Sequence, residues 1–168
     1  GDAVLNETAR GKAGNALYGA YGQDFVCSDG KRVMVIGLTA RQWSALVKVT
    51  GTGEALDALA ARSGQDLRNE GVRWTLRDEI TAIFKPWFAA RSAAAIGRHL
   101  DEAGATWSTF RTVKEAVHTD PDLSIDNPMF TKVHQPGVGT FPVPGTPARF
   151  SAHDHKSAVK APELGAHT

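Results

Sequence analysis

The residues that could do chemistry in this chain are few and scattered over its 168 positions. His153-Asp154-His155 sets two imidazoles at i, i+2, an arrangement found in metal sites. No third and fourth ligand stands at a recognisable interval, so no metal is expected there. Cys27 is the one cysteine, which precludes an internal disulfide. It reads as a reduced, half-buried strand residue of a cytoplasmic protein, because no histidine or helix N-terminus stands beside it to lower its pKa. Gly14, Gly19 and Gly22 surround Leu17, Tyr18 and Tyr21. They do not form a GxGxxG fingerprint opening a helix, so a dinucleotide site is not expected. Glycine at this density suits a loop that passes close to another backbone or to a ligand, or a flexible linker. Serines, histidines and aspartates are present without a nucleophile elbow. Of the aspartates, Asp29 falls in an Asp-Gly turn, and Asp120, Asp122 and Asp126 fall in a turn-rich acidic stretch.

The elements that must position such residues are clearest between Phe25 and Val49. Asp29-Gly30 separates two apolar runs, a strong hairpin signal because such turns need positive φ. Val33, Met34, Val35 and Ile36 form a near-continuous apolar run, which predicts a strand buried on both faces. Thr39 stands where an N-cap is needed, Trp43, Leu46, Val47 and Thr50 share one helical face, and Gly51 stops the helix. A helix over 53–63 buries Leu56, Leu59 and Ala60. Thr75, with Asp78 three residues on, is expected to cap the next helix. There Leu76, Ile80, Ile83, Phe84, Trp87 and Phe88 follow the strongest amphipathic period of the chain. This aromatic stripe is core, with Trp87 among its anchors, and Pro86 should bend or end the helix. Ser92 starts a further helix with Ala94, Ile96 and Leu100 inward and Gly104 at its end. Residues 105–110 read as a short strand, and Thr112-x-x-Glu115 as a capping box. Asp120-Pro121 forces a turn. One hairpin is expected near Gly137–Gly139, and the polar, aperiodic tail from 151 should lie along a surface. Residues 1–13 are polar without a period.

Composition bounds the class. Hydrophobic content of 42% and charged content of 22% are ordinary for a globular domain. The formal net charge is +1, with both signs interspersed, so no basic stripe points to nucleic acid. No apolar run approaches the ~18 residues of a membrane span, and no basic-then-apolar leader is present. No solenoid-period repeat is found.

DGKRVMVIGLTARQWSALVKVTG at 29–51 resembles the start of the small domain in family III CoA-transferases, the CaiB/BaiF group. GNALYGAYGQDF at 14–25 resembles the approach to that domain, and PGTPARFS at 144–151 and APELGAHT at 161–168 resemble its returning segment. The resemblance covers nearly the whole chain in the right order. It implies an α/β fold of the α+β kind: a short mixed or antiparallel sheet with several packed helices, then an extended return segment. It divides the chain into a linker at 1–23, a small domain at 24–118 and a return segment at 119–168, and implies a C-terminal fragment of a protein more than twice as long.

The family's chemistry is implied in the same way. An aspartate attacks an acyl-CoA thioester, a mixed anhydride forms, and coenzyme A leaves and returns to another carboxylate. No aspartate here matches that motif, so no catalytic residue is assigned and the nucleophile is expected in the large domain. The substrate-binding candidates are Tyr18, Thr39 and Arg41, lining a cleft that the large domain completes. Within the family the match is to the branch acting on mesaconyl-CoA. The racemase branch has a glutamate where Thr39 stands; a hydroxyl cannot replace that base, although Thr39 is also explained as an N-cap. An α-methylacyl-CoA racemase and a non-enzymatic binding module remain the alternatives. The resemblance further implies coenzyme A as part of the substrate with no permanently bound cofactor, an interlocked homodimer, no nucleic-acid or membrane partner, and a cytoplasmic location.

Overall fold

The computed structural model describes every residue except 1, 6, 8, 149, 155 and 168, and the backbone alone of residues 2 and 3. The chain forms two compact units, residues 1–110 and 111–168. After a short helix α1 (Asp2–Leu5), the first unit is built on β1 (Tyr21–Val26), β2 (Arg32–Gly37) and β3 (Thr106–Thr109), antiparallel in the order β1-β2-β3. Between β2 and β3 run α2 (Ala40–Thr50), α3 (Gly53–Ser63), α4 (Glu70–Thr75), α5 (Arg77–Ala89) and α6 (Ala93–Glu102).

The β1–β2 turn demands less of its backbone than the Asp-Gly signal implies. The Gly30 N–H donates to the Cys27 carbonyl at 3.0 Å, and Gly30 alone takes positive φ, at 75°. This is the turn-plus-bulge geometry in which one left-handed residue suffices. Asp29 is spent on structure: its Oδ2 accepts from the Ala93 N–H at 3.2 Å, while the Ser28 N–H donates to the Arg91 carbonyl at 2.9 Å. The hairpin tip is thereby fastened to the junction of α5 and α6.

Register places Tyr21, Phe25, Val33, Val35 and Trp107 on one sheet face, where Val35 lies opposite both Gln23 and Trp107. That face carries the core. Phe25 stacks on Phe88 of α5 with centroids 4.1 Å apart and planes 7° apart. Tyr21, Trp43 and Phe84 meet edge-on or tilted at 5.5–5.8 Å. Such pairs add about 0.5–1.5 kcal/mol beyond their area burial. Burial pushes the Tyr21 phenol pKa far up, and its hydroxyl finds Thr81 Oγ1 at 3.1 Å. Glycine is required where rings come closest. A Cβ on Gly97 would lie 2.6 Å from the Trp107 ring, and one on Gly37 would lie 3.1 Å from the Trp43 ring.

Several sequence expectations hold. Thr39 caps α2, Gly51 ends it in the left-handed conformation at φ 66°, Ser92 caps α6, and β3 lies where expected. Others are corrected. The sheet is covered on one face only, so Val33 and Val35 are fully buried while Met34 and Ile36 are half-buried. β1 starts at Tyr21, inside the glycine-rich stretch expected to be a loop. Helix α4 was not foreseen: six residues containing Gly71 are too short to show a period. Thr75 closes α4 instead of capping α5, its hydroxyl donating to the Gly71 carbonyl at 3.0 Å. Helix α5 has no side-chain cap but does carry Asp78 and Glu79 in its first turn, and it runs past Pro86 to Ala89. Ala94 is exposed, and Ala93 and Gly97 take the inward positions with Ile96 and Leu100. Trp87 is half-buried, lying edge-on to Phe88 and beneath the Arg91 guanidinium.

In the second unit, the Thr112–Glu115 capping box opens α7 (Val113–Thr119), and Arg111 Nη1 pairs with Asp120 Oδ2 at 2.8 Å. Strands β4 (Phe130–Gln135) and β5 (Gly139–Pro144) form the expected hairpin around Gly137 and Gly139. Beyond it, no helix or strand is present among the described residues, and the Ala161 N–H donates to Gln135 Oε1 of β4 at 2.8 Å.

Replacing Phe88 by Ala should cost about 3–5 kcal/mol of stability, the range for a fully buried aromatic ring. Replacing Trp87 by Ala should cost clearly less, because part of its ring is already in water. Denaturant unfolding of the two variants side by side checks that order; equal losses would place Trp87 in the core after all.

Candidate functional site

The candidate side chains lie around two junctions, and α4 connects them. At the first, β2 ends and α2 begins. The Thr39 hydroxyl accepts from the Gln42 N–H at 3.2 Å, and Gln42 Oε1 accepts from the Thr39 N–H at 2.9 Å, a reciprocal box. Gln42 Nε2 then donates to Thr106 Oγ1 at 2.9 Å, fixing this end of α2 to β3. Arg41, one residue before Gln42, is exposed, and so are Leu38, Thr39 and Ala40. The N-terminal end of α2 thus presents a partial positive charge and a guanidinium to the surroundings.

Beneath this end lies Arg73 of α4, 1% exposed. Its Nη2 donates to the Leu38 carbonyl at 2.7 Å, and its Nη1 donates to the carbonyls of Leu67 and Arg68, each at 2.9 Å. The guanidinium centre stands 5.2 Å from the Trp43 ring. Burial pushes its pKa down, with Glu70 opposing. Arg73 therefore sets the backbone immediately before Thr39. Asn69 caps α4, accepting from the N–H groups of Gly71 and Val72 at 2.8 and 3.3 Å. That asparagine, followed by Glu70, is the signal by which α4 and its arginine could have been found from sequence.

The next residue of α4 serves the second junction. Trp74 packs against Tyr18 with ring centroids 4.9 Å apart. Arg10 lies 3.7 Å above the Tyr18 ring and Arg77 lies 4.2 Å from the Trp74 ring centroid. With Lys12 these groups line a cleft of about 280 Å³. Tyr18 is 45% exposed. Thr39 and Arg41 are therefore neighbours on one helix end, and Tyr18 is linked to them through consecutive residues of α4. The cationic residues of the cleft were not among the sequence candidates, because nothing in their spacing brings Arg10 to Arg77.

The arrangement can hold an anion, and several carboxylates elsewhere in the described residues are engaged structurally. Asp24 is buried and paired with Arg32, Asp101 accepts from Trp107 Nε1 at 2.7 Å, and Asp126 accepts from Ser124 at 3.3 Å. Cys27 is buried at 4% exposure, deeper than its half-buried expectation, and follows the end of β1. Burial pushes its thiol pKa up and Asp29 adds to the rise, so it is a poor thiolate at neutral pH. Of the proposed histidine pair, His155 lies outside the described residues; among the described residues no three His, Cys, Asp or Glu side chains gather as a metal site. Among the described residues no helix is long and apolar enough to cross a membrane.

This fold, with helices on one face of a three-stranded antiparallel sheet, is found in solved proteins. Over 99% of this chain and 40% of the other, it superposes on a CaiB/BaiF family protein from Brucella suis with a TM-score of 0.62 at 24% identity. A variant of Rv3272 from Mycobacterium tuberculosis matches 86% of this chain, and 37% of its own, with a TM-score of 0.65 at 21% identity. The profile of CoA-transferase family III matches residues 2–168, and the chain belongs to that family. It is 48% identical over 167 residues to 2-methylfumaryl-CoA isomerase of Chloroflexus aurantiacus, spanning 99% of this chain and 41% of that protein's length.

Two outcomes follow from this geometry. Arg73→Leu should lower stability by about 2–5 kcal/mol, since it strands the buried Leu67 carbonyl and the partly buried carbonyls of Leu38 and Arg68, an unsatisfied buried acceptor costing about 1–3 kcal/mol. Arg73→Lys should recover only part, lacking the planar fork; calorimetric melting of both checks this. Cys27 should alkylate slowly at neutral pH in the native chain and rapidly in denaturant, measured by mass spectrometry.

Proposed function

We propose that the complete protein is an acyl-CoA:carboxylate CoA-transferase that moves coenzyme A between the carboxylates of mesaconyl-CoA. The observation that carries this reading is the 48% identity, across nearly all of this chain, to a protein named 2-methylfumaryl-CoA isomerase. The hydroxyl of Thr39, capping α2 where the racemase branch carries a carboxylate base, favours CoA transfer over α-proton exchange.

In this reading residues 1–23 lead into a small domain at 24–118, and 119–168 return toward a large domain. A carboxylate nucleophile outside these residues attacks the thioester carbonyl, the carbon–sulfur bond breaks, and coenzyme A departs as thiolate while the acyl group is held as a mixed anhydride. The thiolate attacks the enzyme carboxyl of that anhydride, which releases the acyl carboxylate and leaves an enzyme–CoA thioester. The substrate's other carboxylate then attacks this thioester, forming a second anhydride and freeing the thiolate. That thiolate attacks the substrate carbonyl of the second anhydride to give the isomer and restore the enzyme carboxylate. Residues Tyr18, Thr39 and Arg41 form part of the wall around the acyl group. Arg41 and the N-terminal end of α2 suit the substrate's free carboxylate, whose charge they offset. Coenzyme A enters as part of the substrate and no cofactor is retained. The working state is a cytoplasmic, interlocked homodimer that completes each cleft.

The test gives the complete protein mesaconyl-CoA and, separately, a saturated 2-methylacyl-CoA in deuterated water. Isomer should form from the first and no deuterium should enter the α-carbon of the second; rapid exchange there without isomer formation would establish racemase-type chemistry and overturn the proposal. Arg41→Gln should raise KM several-fold with a smaller change in kcat, as expected of a group binding ground and transition state alike. Thr39→Glu should slow transfer, by setting a carboxylate against an anionic substrate, without creating proton exchange. Residues 1–168 alone should be inactive.

A further inference from the structure

We propose that the cleft between residues 9–13 and α4–α5 is a binding site for a phosphoryl oxyanion. Arg10, Lys12 and Arg77 line it, and no aspartate or glutamate does among its described lining residues. Lys12 and Arg77 bring two cations into one concavity beside the Arg10 guanidinium, and the positive potential they concentrate is relieved better by a dianionic group than by a single carboxylate.

The cations are also held in place. Arg10 stands 3.7 Å over the Tyr18 ring, Tyr18 lies 4.9 Å from Trp74, and Arg77 stands 4.2 Å from the Trp74 ring centroid. This cation–ring–ring–cation ladder braces both guanidinium groups, so less side-chain entropy is lost when an anion binds. Arg77 Nη1 donates to the Trp74 carbonyl at 3.0 Å, which fixes its plane further. Arg77 Nη2 lies 3.9 Å from Asp78 Oδ2, on a side chain 87% exposed and therefore a weak, water-screened counter-charge.

The ladder limits what can bind. The two rings pack on each other and against the guanidinium groups, so recognition runs through charge and hydrogen bonds instead of base stacking. A volume of about 280 Å³ holds a phosphate or diphosphate group and leaves a larger ligand's remainder outside. The source is either a free small anion or the phosphate portion of a larger molecule such as coenzyme A. The assignment rests on the cleft's own charge and stands whether or not the transferase reading does.

Isothermal titration of this chain with inorganic pyrophosphate tests it. Binding should be saturable, with affinity falling as salt rises. Arg77→Gln and Lys12→Gln should each weaken it about tenfold, the size of one lost charge-assisted contact. Arg98→Gln, on the exposed face of α6, should leave it unchanged. Lys12→Gln removes no ring contact, so its effect reports on the anion even if Arg77→Gln also loosens the ladder. Coenzyme A displacing pyrophosphate would identify a phosphate of the larger molecule as the natural occupant; pyrophosphate binding that coenzyme A does not disturb would identify a separate small anion. Absence of saturable binding at millimolar pyrophosphate, or equal weakening by Arg98→Gln, would overturn the proposal.

Discussion

The first unit turns on a buried guanidinium. Arg73 brings together three carbonyls that no helix or strand satisfies: Leu38 at the end of the first apolar strand pair, and Leu67 and Arg68 in the loop before α4. Leaving the buried Leu67 acceptor unpaired would be costly, and arginine's planar fork reaches it and the two partly buried carbonyls from one Cα. The arrangement has its own cost, since Arg73 Nε has no hydrogen-bond partner among the described residues and the charge is removed from water. It persists because the constraint is shared: α4 cannot move without releasing the backbone that presents Thr39.

Consecutive residues of one short helix thus couple two features of different kinds. Arg73 points inward and holds the start of α2, whereas Trp74 supports Tyr18 and the cationic cleft. The aromatic core supplies the rigid backing. Phe25 on Phe88, with Tyr21 and Phe84 beside Trp43, locks α5 and α2 to the same sheet face. Because only that face is filled, the opposite side leaves Met34 and Ile36 half-buried and Val26 at 50% exposure. Its exposed helix end and its cleft present cationic groups on the same unit.

Much of this was legible in advance, for reasons that can be stated. Caps at Thr39, Ser92 and Thr112 are readable because capping is local: the hydroxyl oxygen and the N–H that donates to it lie within three residues. The α5 stripe was readable because thirteen residues show the period clearly. Helix α4 was missed because six residues show none, and with it went the correct role of Thr75. Trp87 was ranked with Phe84 and Phe88 because it shares their period; how deep each ring sits depends on what covers that flank of α5.

The sequence by itself determined where most elements begin and end, which faces of the long helices turn inward, and, through its family resemblance, the class of the chain. Those properties are encoded within a few turns of backbone or a contiguous motif. Only the tertiary structure decided that Arg73 reaches back 35 residues to Leu38, that Asp29 serves α6 across 64 residues, and that Arg10 and Arg77 enclose a common cleft. Such contacts depend on how the helices return over the sheet, and no local spacing records that path.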